Sequence, residues 1–174
     1  MSDSLIIIPT YNEKENIGKM LDVLMALSFS FDVLIIDDNS KDGTAGIVKD
    51  YIKQFPDRIY IEERSGKLGL GTAYIHGFKW ALKREYQYIF EMDADFSHNP
   101  NDLIRLRDAC SNGNADLSIG SRYITGVNVV NWPMGRVMMS YFASMYVRIV
   151  TGMTIRDTTA GFKCYSRKVL EALN

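Results

Sequence analysis

The sequence contains few of the residues that mark disulfide-rich, zinc-binding or membrane-spanning proteins. Its 174 residues include two cysteines and two histidines, and Cys110 and Cys164 lie far apart and near no histidine cluster. This argues against a disulfide framework and a zinc site. We therefore interpret the two cysteines as buried free thiols in a reducing compartment. No uncharged run reaches the ~18 apolar residues that a membrane-spanning helix needs. Asp3 stands where a secretory signal would be basic, which predicts no signal peptide.

The charge is small in total but unevenly distributed. The formal net charge is −1, yet residues 1–121 carry 13 basic and 19 acidic side chains, whereas residues 122–174 carry 7 and 2. Residues 1–121 therefore have a formal charge of −6, and residues 122–174 have a formal charge of +5. This asymmetry favours a phosphate-bearing partner bound between an acidic and a basic side, with ordinary scatter of surface charge as the alternative explanation.

Short apolar runs rich in β-branched residues alternate with segments of helical spacing along the first 120 residues. The predicted strands are residues 5–8, 33–36, 59–61, 88–92 and 115–119. The predicted helices are residues 13–27, 40–56, 71–84 and 99–110, with Ser40 as a cap. This alternation predicts an α/β fold, a Rossmann-like doubly wound, mostly parallel sheet with helices on both faces.

The last third of the chain is less regular. Residues 131–133 (Asn-Trp-Pro) are interpreted as a turn or the start of a helix. Residues 134–150 have an apolar helical pattern with many methionine and aromatic residues. This pattern fits either a helix of the core or an amphipathic helix at a membrane interface.

Polar residues follow three of the predicted strands directly. Residues 9–13 (Pro-Thr-Tyr-Asn-Glu) follow the first strand, Asp37 and Asp38 end the second, and residues 93–95 (Asp-Ala-Asp) follow the fourth. In doubly wound sheets, ligands bind beyond the carboxyl ends of the strands. We therefore expect these three segments to line one site.

The Asp-Ala-Asp triplet predicts a divalent metal site. Side chains at positions i and i+2 of an extended segment share a face, so Asp93 and Asp95 are expected to reach the same small volume. Two carboxylates that close repel each other unless a cation lies between them. Oxygen ligands suit Mg²⁺ or Mn²⁺, and Mg²⁺ usually binds one or two carboxylates together with substrate phosphates. Because Asp-x-Asp is common by chance, a solvated loop without a ligand is the alternative.

Taken together, the polar segments resemble the motifs of inverting family 2 glycosyltransferases with the GT-A fold. The segments that carry the resemblance are residues 9–13, 37–44, 67–74, 93–98, 120–123 and 159–162. They are most similar to polyprenyl-phosphate sugar synthases of the dolichyl-phosphate mannose synthase type. The resemblance spans essentially the whole chain and implies one catalytic domain, residues 1–174. The reaction that the resemblance implies is transfer of a sugar to a polyprenyl phosphate, with mannose from GDP-mannose as the first choice of donor. The anomeric centre is inverted, and Mg²⁺ or Mn²⁺ is the expected metal.

The resemblance also implies roles for individual residues. The residues implied to bind the nucleotide sugar are Pro9, Tyr11, Glu13, Asp37, Asp38, Asp93, Ala94 and Asp95. The implied metal ligands are Asp93, Asp95 and Ser97, where Ser97 replaces a Gln that is frequent in the family, so that a water substitutes for it. The implied acceptor-binding residues are Arg122, Arg136 and Ser140, the last two of which follow Trp132. Asp95 and Arg122 are the implied catalytic residues.

The chemistry of this acceptor requires no general base. A sugar hydroxyl must lose a proton before it attacks, and transferases that use one need a base. A lipid monophosphate is already anionic near neutral pH, since its second pKa is about 6. Arginine suits the positioning of this phosphate, because its planar fork binds phosphate bidentately and stays charged.

Three other classes of function compete with this one. An Asp-nucleophile phosphatase or phosphotransferase usually places its Asp-x-Asp motif on the first strand, whereas here it follows the fourth. A dinucleotide-binding oxidoreductase needs a Gly-rich turn where residues 9–11 stand. Nucleotide binding without catalysis stays open, as does transfer of glucose or of another UDP-linked sugar.

The resemblance also implies how much of the protein the chain contains and where in the cell the protein acts. Relatives continue with strand-like and basic segments beyond the position that corresponds to Asn174, so we expect a C-terminally truncated chain. The expected location is cytoplasmic, with peripheral contact at the cytoplasmic face of the membrane, and no nucleic acid is expected among the partners.

Overall fold

The structure, a computed structural model, describes residues 2–113, 115–122 and 134–173, apart from the side chain of Arg136. Its strands are β1 (Ser4–Thr10), β2 (Asp32–Asp37), β3 (Ile59–Glu63), β4 (Tyr88–Glu91), β5 (Leu117–Ile119) and β6 (Lys163–Ser166). Its helices are α1 (Lys14–Met25), α2 (Thr44–Gln54), α3 (Leu70–Leu82), α4 (Asp102–Ser111), α5 (Met134–Thr151) and α6 (Arg167–Leu173). The predicted turn at residues 131–133, including Trp132, lies outside the described residues.

The strands form a six-stranded sheet in the order β3-β2-β1-β4-β6-β5. β1 pairs in parallel with β2 and β4, and β2 pairs in parallel with β3, which confirms the predicted mostly parallel sheet. β6 was not predicted, and it enters antiparallel between β4 and β5. Cys164 is its one buried residue, so no hydrophobic run marked this segment as a strand.

Two apolar layers hold helices against the two faces of the sheet. Ile6 and Ile8 point towards α1, α2 and α4, whereas Leu5 and Ile7 point towards α3 and α6. All four side chains are fully buried, which explains why β1 is a continuous apolar run and not an alternating one. Cys164 lies in the first of these layers, and both cysteines are buried free thiols, as predicted.

The predicted cap of α2 is wrong. Ser40 does not cap this helix, because Gly43 occupies the cap position with a left-handed φ of 98°. The Ser40 hydroxyl instead donates to Asp37 Oδ1 at 2.6 Å and accepts from the backbone NH of Asn12 at 2.9 Å. The sequence pattern located the helix correctly but could not show that this hydroxyl had a tertiary partner.

Helix α5 does not belong to either apolar layer, so its interpretation as a core helix is wrong. Met139 and Ile149 are 73% and 74% exposed, and Tyr146 is 68% exposed. Ser144, on the same helix, is buried. These exposures place the helix at the surface, and the alternative interpretation, an amphipathic helix at a membrane interface, stays a prediction. No helix among the described residues is both long and apolar enough to cross a membrane.

Candidate active site

A cleft of about 310 Å³ opens beyond the carboxyl ends of β1, β2 and β4. The predicted residues that line it are Pro9, Tyr11, Glu13, Asp38, Asp93, Ala94 and Asp95. Thr10, Lys67, Gly69, Leu70 and Ala73 complete its lining. The parallel sheet therefore brings the three strand-end segments to one place, as expected from the order of strands and helices.

One wall of the cleft comes from the loop before α3. The ammonium of Lys67 lies 4.5 Å from the ring centroid of Tyr11, a cation–π contact. Gly69 precedes the helix with a φ of 98°, a conformation that a residue with a Cβ rarely adopts. Sequence reasoning placed Lys67 in a family motif but assigned it no role in the site.

The two acidic residues that end β2 have different surroundings. Asp37 is 1% exposed and does not line the cleft. Its carboxylate accepts hydrogen bonds from the Thr10 hydroxyl at 2.9 Å and from the backbone NH of Ser40 at 2.9 Å. Asp37 thus joins the end of β1 to the loop that follows β2, and its predicted contact with a nucleotide sugar stays a prediction.

Asp38 lines the cleft but is bound by Arg64. The guanidinium Nη2 donates to Asp38 Oδ2 at 2.7 Å, and both side chains are less than 10% exposed. The backbone NH of Leu68 donates to the same oxygen at 3.2 Å, and Arg64 also donates to the carbonyl of Gly69 at 3.2 Å. The pair holds the wall that carries Lys67 in place. Sequence reasoning missed Arg64, which lies just beyond β3 with no motif of its own.

Asp93 and Asp95 both face the cleft, and their carboxylates are held differently. Tyr74 donates its hydroxyl to Asp93 Oδ1 at 3.3 Å, and His98 Nε2 lies 3.6 Å from Asp93 Oδ2. Asp95 is exposed, and its Oδ1 accepts the backbone NH of Ser97 at 2.9 Å. The predicted role of the Ser97 hydroxyl as a metal ligand stays a prediction.

This donor set fits a magnesium or manganese ion that shares its coordination with a substrate. In residues 2–113, 115–122 and 134–173, no group of three His, Cys, Asp or Glu side chains could hold a metal by itself. Two carboxylates leave coordination positions for water and for phosphate oxygens, which is how Mg²⁺ is usually bound. Asp93 and Asp95 are thus the residues that would hold the ion.

Arg122 is not a free cation at the surface, because Asp157 binds it. Its Nε and Nη2 donate to the two carboxylate oxygens at 2.8 and 2.7 Å, and its backbone NH donates at 3.0 Å. The side chains are 7% and 0% exposed. Burial acts to raise the pKa of Asp157, but the hydrogen bonds and charge of Arg122 outweigh it and hold that pKa below its usual value.

The same network reaches helix α5. Arg122 Nη2 also donates to the hydroxyl of Thr159 at 2.7 Å, and the Ser140 hydroxyl lies 3.1 Å from that of Thr159. Two of the three predicted acceptor residues, Arg122 and Ser140, are therefore joined through the hydroxyl of Thr159. The side chain of the third, Arg136, lies outside the described residues. Sequence reasoning missed Asp157, although it is one of two acidic residues in the basic last third of the chain.

Comparison with known sequences identifies the family. The profile of Glycosyl transferase family 2 matches residues 5–173. The chain belongs to this family. The motif resemblance is thus confirmed over nearly the full length of the chain.

Two curated proteins are similar to the chain along almost its whole length. One, from Mycolicibacterium smegmatis, is named polyprenol monophosphomannose synthase and is 44% identical over 171 residues. Another, from Micrococcus luteus, is named undecaprenyl-phosphate mannosyltransferase and is 44% identical over 170 residues. The matches cover 98% of this chain but 64% and 69% of those proteins, so the chain spans about two thirds of their length.

Solved structures show the same fold at low sequence identity. A mannosyltransferase from Pyrobaculum calidifontis, solved with GDP-mannose and Mn²⁺, has a TM-score of 0.69 and 17% identity, covering 99% of this chain and 46% of that one. Glucosyl-3-phosphoglycerate synthase from Mycobacterium tuberculosis, solved with Mn²⁺, UDP and glucosyl-3-phosphoglycerate, has a TM-score of 0.70 and 14% identity, covering 95% and 57%. These likenesses confirm the GT-A fold.

Proposed function

We propose that residues 1–174 form a catalytic domain that transfers mannose from GDP-mannose to a polyprenyl phosphate with inversion and with Mg²⁺ or Mn²⁺. The observation that carries the proposal is one cleft that presents Asp93 and Asp95 beside Tyr11 and Glu13. The names of the two curated relatives at 44% identity support the choice of sugar and acceptor. The mannosyltransferase neighbour that binds GDP-mannose and Mn²⁺ supports the choice of donor and metal only through its fold.

The cleft suits the donor because it brings aromatic, cationic and anionic groups together in one place. Tyr11, with Lys67 above its ring, offers a flat surface for a nucleobase, and Glu13 offers an acceptor for ribose hydroxyls. In this proposal the diphosphate lies against Asp93 and Asp95, which line the same cleft. A divalent ion held there would stabilise the negative charge that grows on the leaving nucleoside diphosphate.

The Arg122–Asp157 pair suits an acceptor that is already anionic. Because Asp157 neutralises the guanidinium, the pair as a whole adds no net positive charge beside the acceptor phosphate. Such a phosphate keeps more of its nucleophilic character than one that meets an unpaired cation. The contact of Arg122 with this phosphate is part of the proposal, as are those of Ser140 and Arg136.

The exposed face of α5 suits the lipid part of the acceptor. Exposed apolar side chains are concentrated on this helix, and Met138, Met139 and Phe142 lie within three residues of Ser140. We therefore place a peripheral contact with the cytoplasmic face of the membrane along α5.

The reaction and its stereochemistry can be tested together. Purified protein incubated with GDP-mannose, Mn²⁺ and a short polyprenyl phosphate is expected to give a β-linked mannosyl phosphate, because direct attack by phosphate inverts the α-linked donor. Proton NMR of the anomeric position measures the linkage, and UDP-glucose serves as the competing donor. An α-linked product would contradict single displacement, and preferential transfer from UDP-glucose would contradict the proposed donor.

The acceptor site can be tested at Arg136. Replacing Arg136 with Ala is expected to lower kcat/KM for the polyprenyl phosphate about 10- to 100-fold, since a hydrogen bond to a charged group contributes about 1.5–3 kcal/mol. The affinity for GDP-mannose should stay unchanged. Steady-state kinetics with varied lipid phosphate, together with calorimetric titration of the nucleotide, separates the two effects.

Arg148 on the same helix offers a matched control for this variant. Arg148→Ala removes the same charge from α5 twelve residues further on and should leave the use of the acceptor nearly unchanged. Equal losses in the two variants would indicate a general charge effect, and no loss in Arg136→Ala would remove Arg136 from the acceptor site.

A further inference from the structure

The carboxylate of Asp93 is surrounded by groups from three separate parts of the fold. Tyr74 of α3 donates to Oδ1 at 3.3 Å, and His98, from the loop after β4, has its Nε2 3.6 Å from Oδ2. Gly161, in the segment before β6, is so close that an added Cβ would lie 3.2 Å from Oδ2. The Asp93 side chain is 35% exposed, and it lines the cleft. The surrounding groups therefore restrict its rotation without covering it.

The surrounding side chains are themselves fixed by packing. Tyr74 is 6% exposed and stacks with Phe78, with ring centroids 6.4 Å apart. The His98 side chain is 8% exposed and stacks on Phe162 at 5.0 Å with an interplanar angle of 17°. Neither ring can turn away without disturbing a neighbour in the protein interior. The hydrogen bond to Asp93 thus comes from a preorganised donor.

The Tyr74 hydroxyl directs its proton at Asp93 Oδ1, 3.3 Å away. Asp95 is held in a different way, since its carboxylate accepts the backbone NH of Ser97.

We propose that Tyr74 is a positioning residue for the metal-binding carboxylate of Asp93, with His98 and Gly161 limiting the rotation of that carboxylate. This inference rests on the proposed function, in which Asp93 holds the divalent ion. Ligating carboxylates are commonly oriented by hydrogen bonds from a second layer of groups. Tyr74 performs this task by holding Oδ1 in place before the ion and the nucleotide arrive.

The test removes the Tyr74 hydroxyl alone. Tyr74→Phe is expected to raise the Kd for Mn²⁺ in the presence of GDP about 10- to 100-fold, the usual loss when such an orienting partner is removed. Electron paramagnetic resonance of free Mn²⁺ measures this Kd without any turnover, with UDP assayed in parallel. The affinity for GDP without metal should be unchanged, because Tyr74 is not expected to contact the nucleotide.

Tyr51 provides the matched control. Its hydroxyl donates to Asp22 at 2.6 Å between α2 and α1, away from the cleft, so Tyr51→Phe removes an equivalent hydrogen bond. The Kd for Mn²⁺ should not change in this variant. Gly161→Ala is the second test variant, and its added Cβ should raise the Kd by crowding Oδ2 while keeping the Tyr74 hydroxyl.

The outcomes separate the inference from the function on which it rests. If wild-type protein binds Mn²⁺ with GDP or UDP and Tyr74→Phe binds it equally well, the inference fails and the metal site stands. Equal losses in Tyr74→Phe and Tyr51→Phe also overturn it, because they indicate a general effect on structure. If neither nucleotide strengthens binding of Mn²⁺ to the wild type, the proposed function and the inference fail together. Should Tyr74→Phe not fold, an unchanged Kd in Gly161→Ala overturns the inference.

Discussion

Replacing Asp95 with Asn is expected to abolish metal-dependent binding of nucleoside diphosphate while the fold stays intact. The side chain is exposed, and the amide oxygen of Asn can still accept the hydrogen bond from the backbone NH of Ser97. The lost carboxylate charge, however, removes one of the two groups that we propose hold the ion. Since a bound metal supplies several kcal/mol of transition-state stabilisation, turnover should fall about 100-fold or more.

Calorimetric titration of GDP with and without Mn²⁺ measures the effect of Asp95→Asn on binding, and thermal unfolding checks the fold. Asp50→Asn is the matched control, because Asp50 is an exposed carboxylate on α2 that binds Lys53 at the surface. It should bind metal and nucleotide as the wild type does. Unchanged metal-dependent affinity in Asp95→Asn would place the metal site elsewhere.

Removing Asp157 is expected to have the largest effect on stability. Asp157→Ala leaves the guanidinium of Arg122 buried without its main partner, and breaking a buried pair in this way typically costs about 3–5 kcal/mol. Turnover should also be lost, because the orientation of Arg122 depends on both carboxylate oxygens. Urea unfolding measures the stability. Arg105→Ala, which breaks a surface pair with Asp102, is the control and should change stability by less than about 1 kcal/mol.

A double variant separates the structural from the catalytic contribution of this pair. Replacing Arg122 with Met and Asp157 with Leu removes both charges, and such apolar replacements of buried pairs are often neutral or stabilising. The variant should therefore fold, with wild-type affinity for GDP, yet show no transfer to the lipid phosphate. Retained transfer would show that Arg122 does not act at the reaction centre.

The same pair predicts how stability depends on pH. The pKa of Asp157 in the folded protein lies below its value in the unfolded chain, which is about 3.9 for Asp. The stabilisation is therefore fully present above the unfolded pKa and is lost as the pH falls through the folded pKa. Urea unfolding between about pH 5 and pH 2 should show a smaller loss of stability in the double variant than in the wild type.

The strand-end part of the cleft could be predicted from the sequence because it depends on local patterns. Each of its segments directly follows a buried strand, and the parallel sheet places all such ends at one edge. The position of Asp93 and Asp95 in the cleft could be predicted from their two-residue spacing at a strand end. Asp37 shows the limit of this reasoning, since the same pattern did not reveal that Thr10 and Ser40 bind its carboxylate.

The contacts that hold Arg122 and Asp93 in place could not be predicted to the same extent, because they join distant parts of the chain. Arg122 and Asp157 are 35 residues apart, and Tyr74 and Asp93 are 19 apart. Nothing in the local pattern around Asp157 indicates its partner. The charge imbalance of the last third suggested anionic binding, but a buried acid neutralises one of the cations that suggested it.

The sequence alone was enough to predict the fold class, the succession of the first five strands along the chain and three of the segments that line the cleft, because these follow from hydrophobic spacing and from the direction of parallel strands. The tertiary structure alone decided that β6 inserts antiparallel beside β4, that Asp157 holds Arg122 and that Tyr74 holds Asp93. The physical reason is that burial creates these interactions. When folding removes a charged or polar group from water, that group needs a hydrogen-bond or ion-pair partner. The partner can come from any part of the chain that the fold brings close.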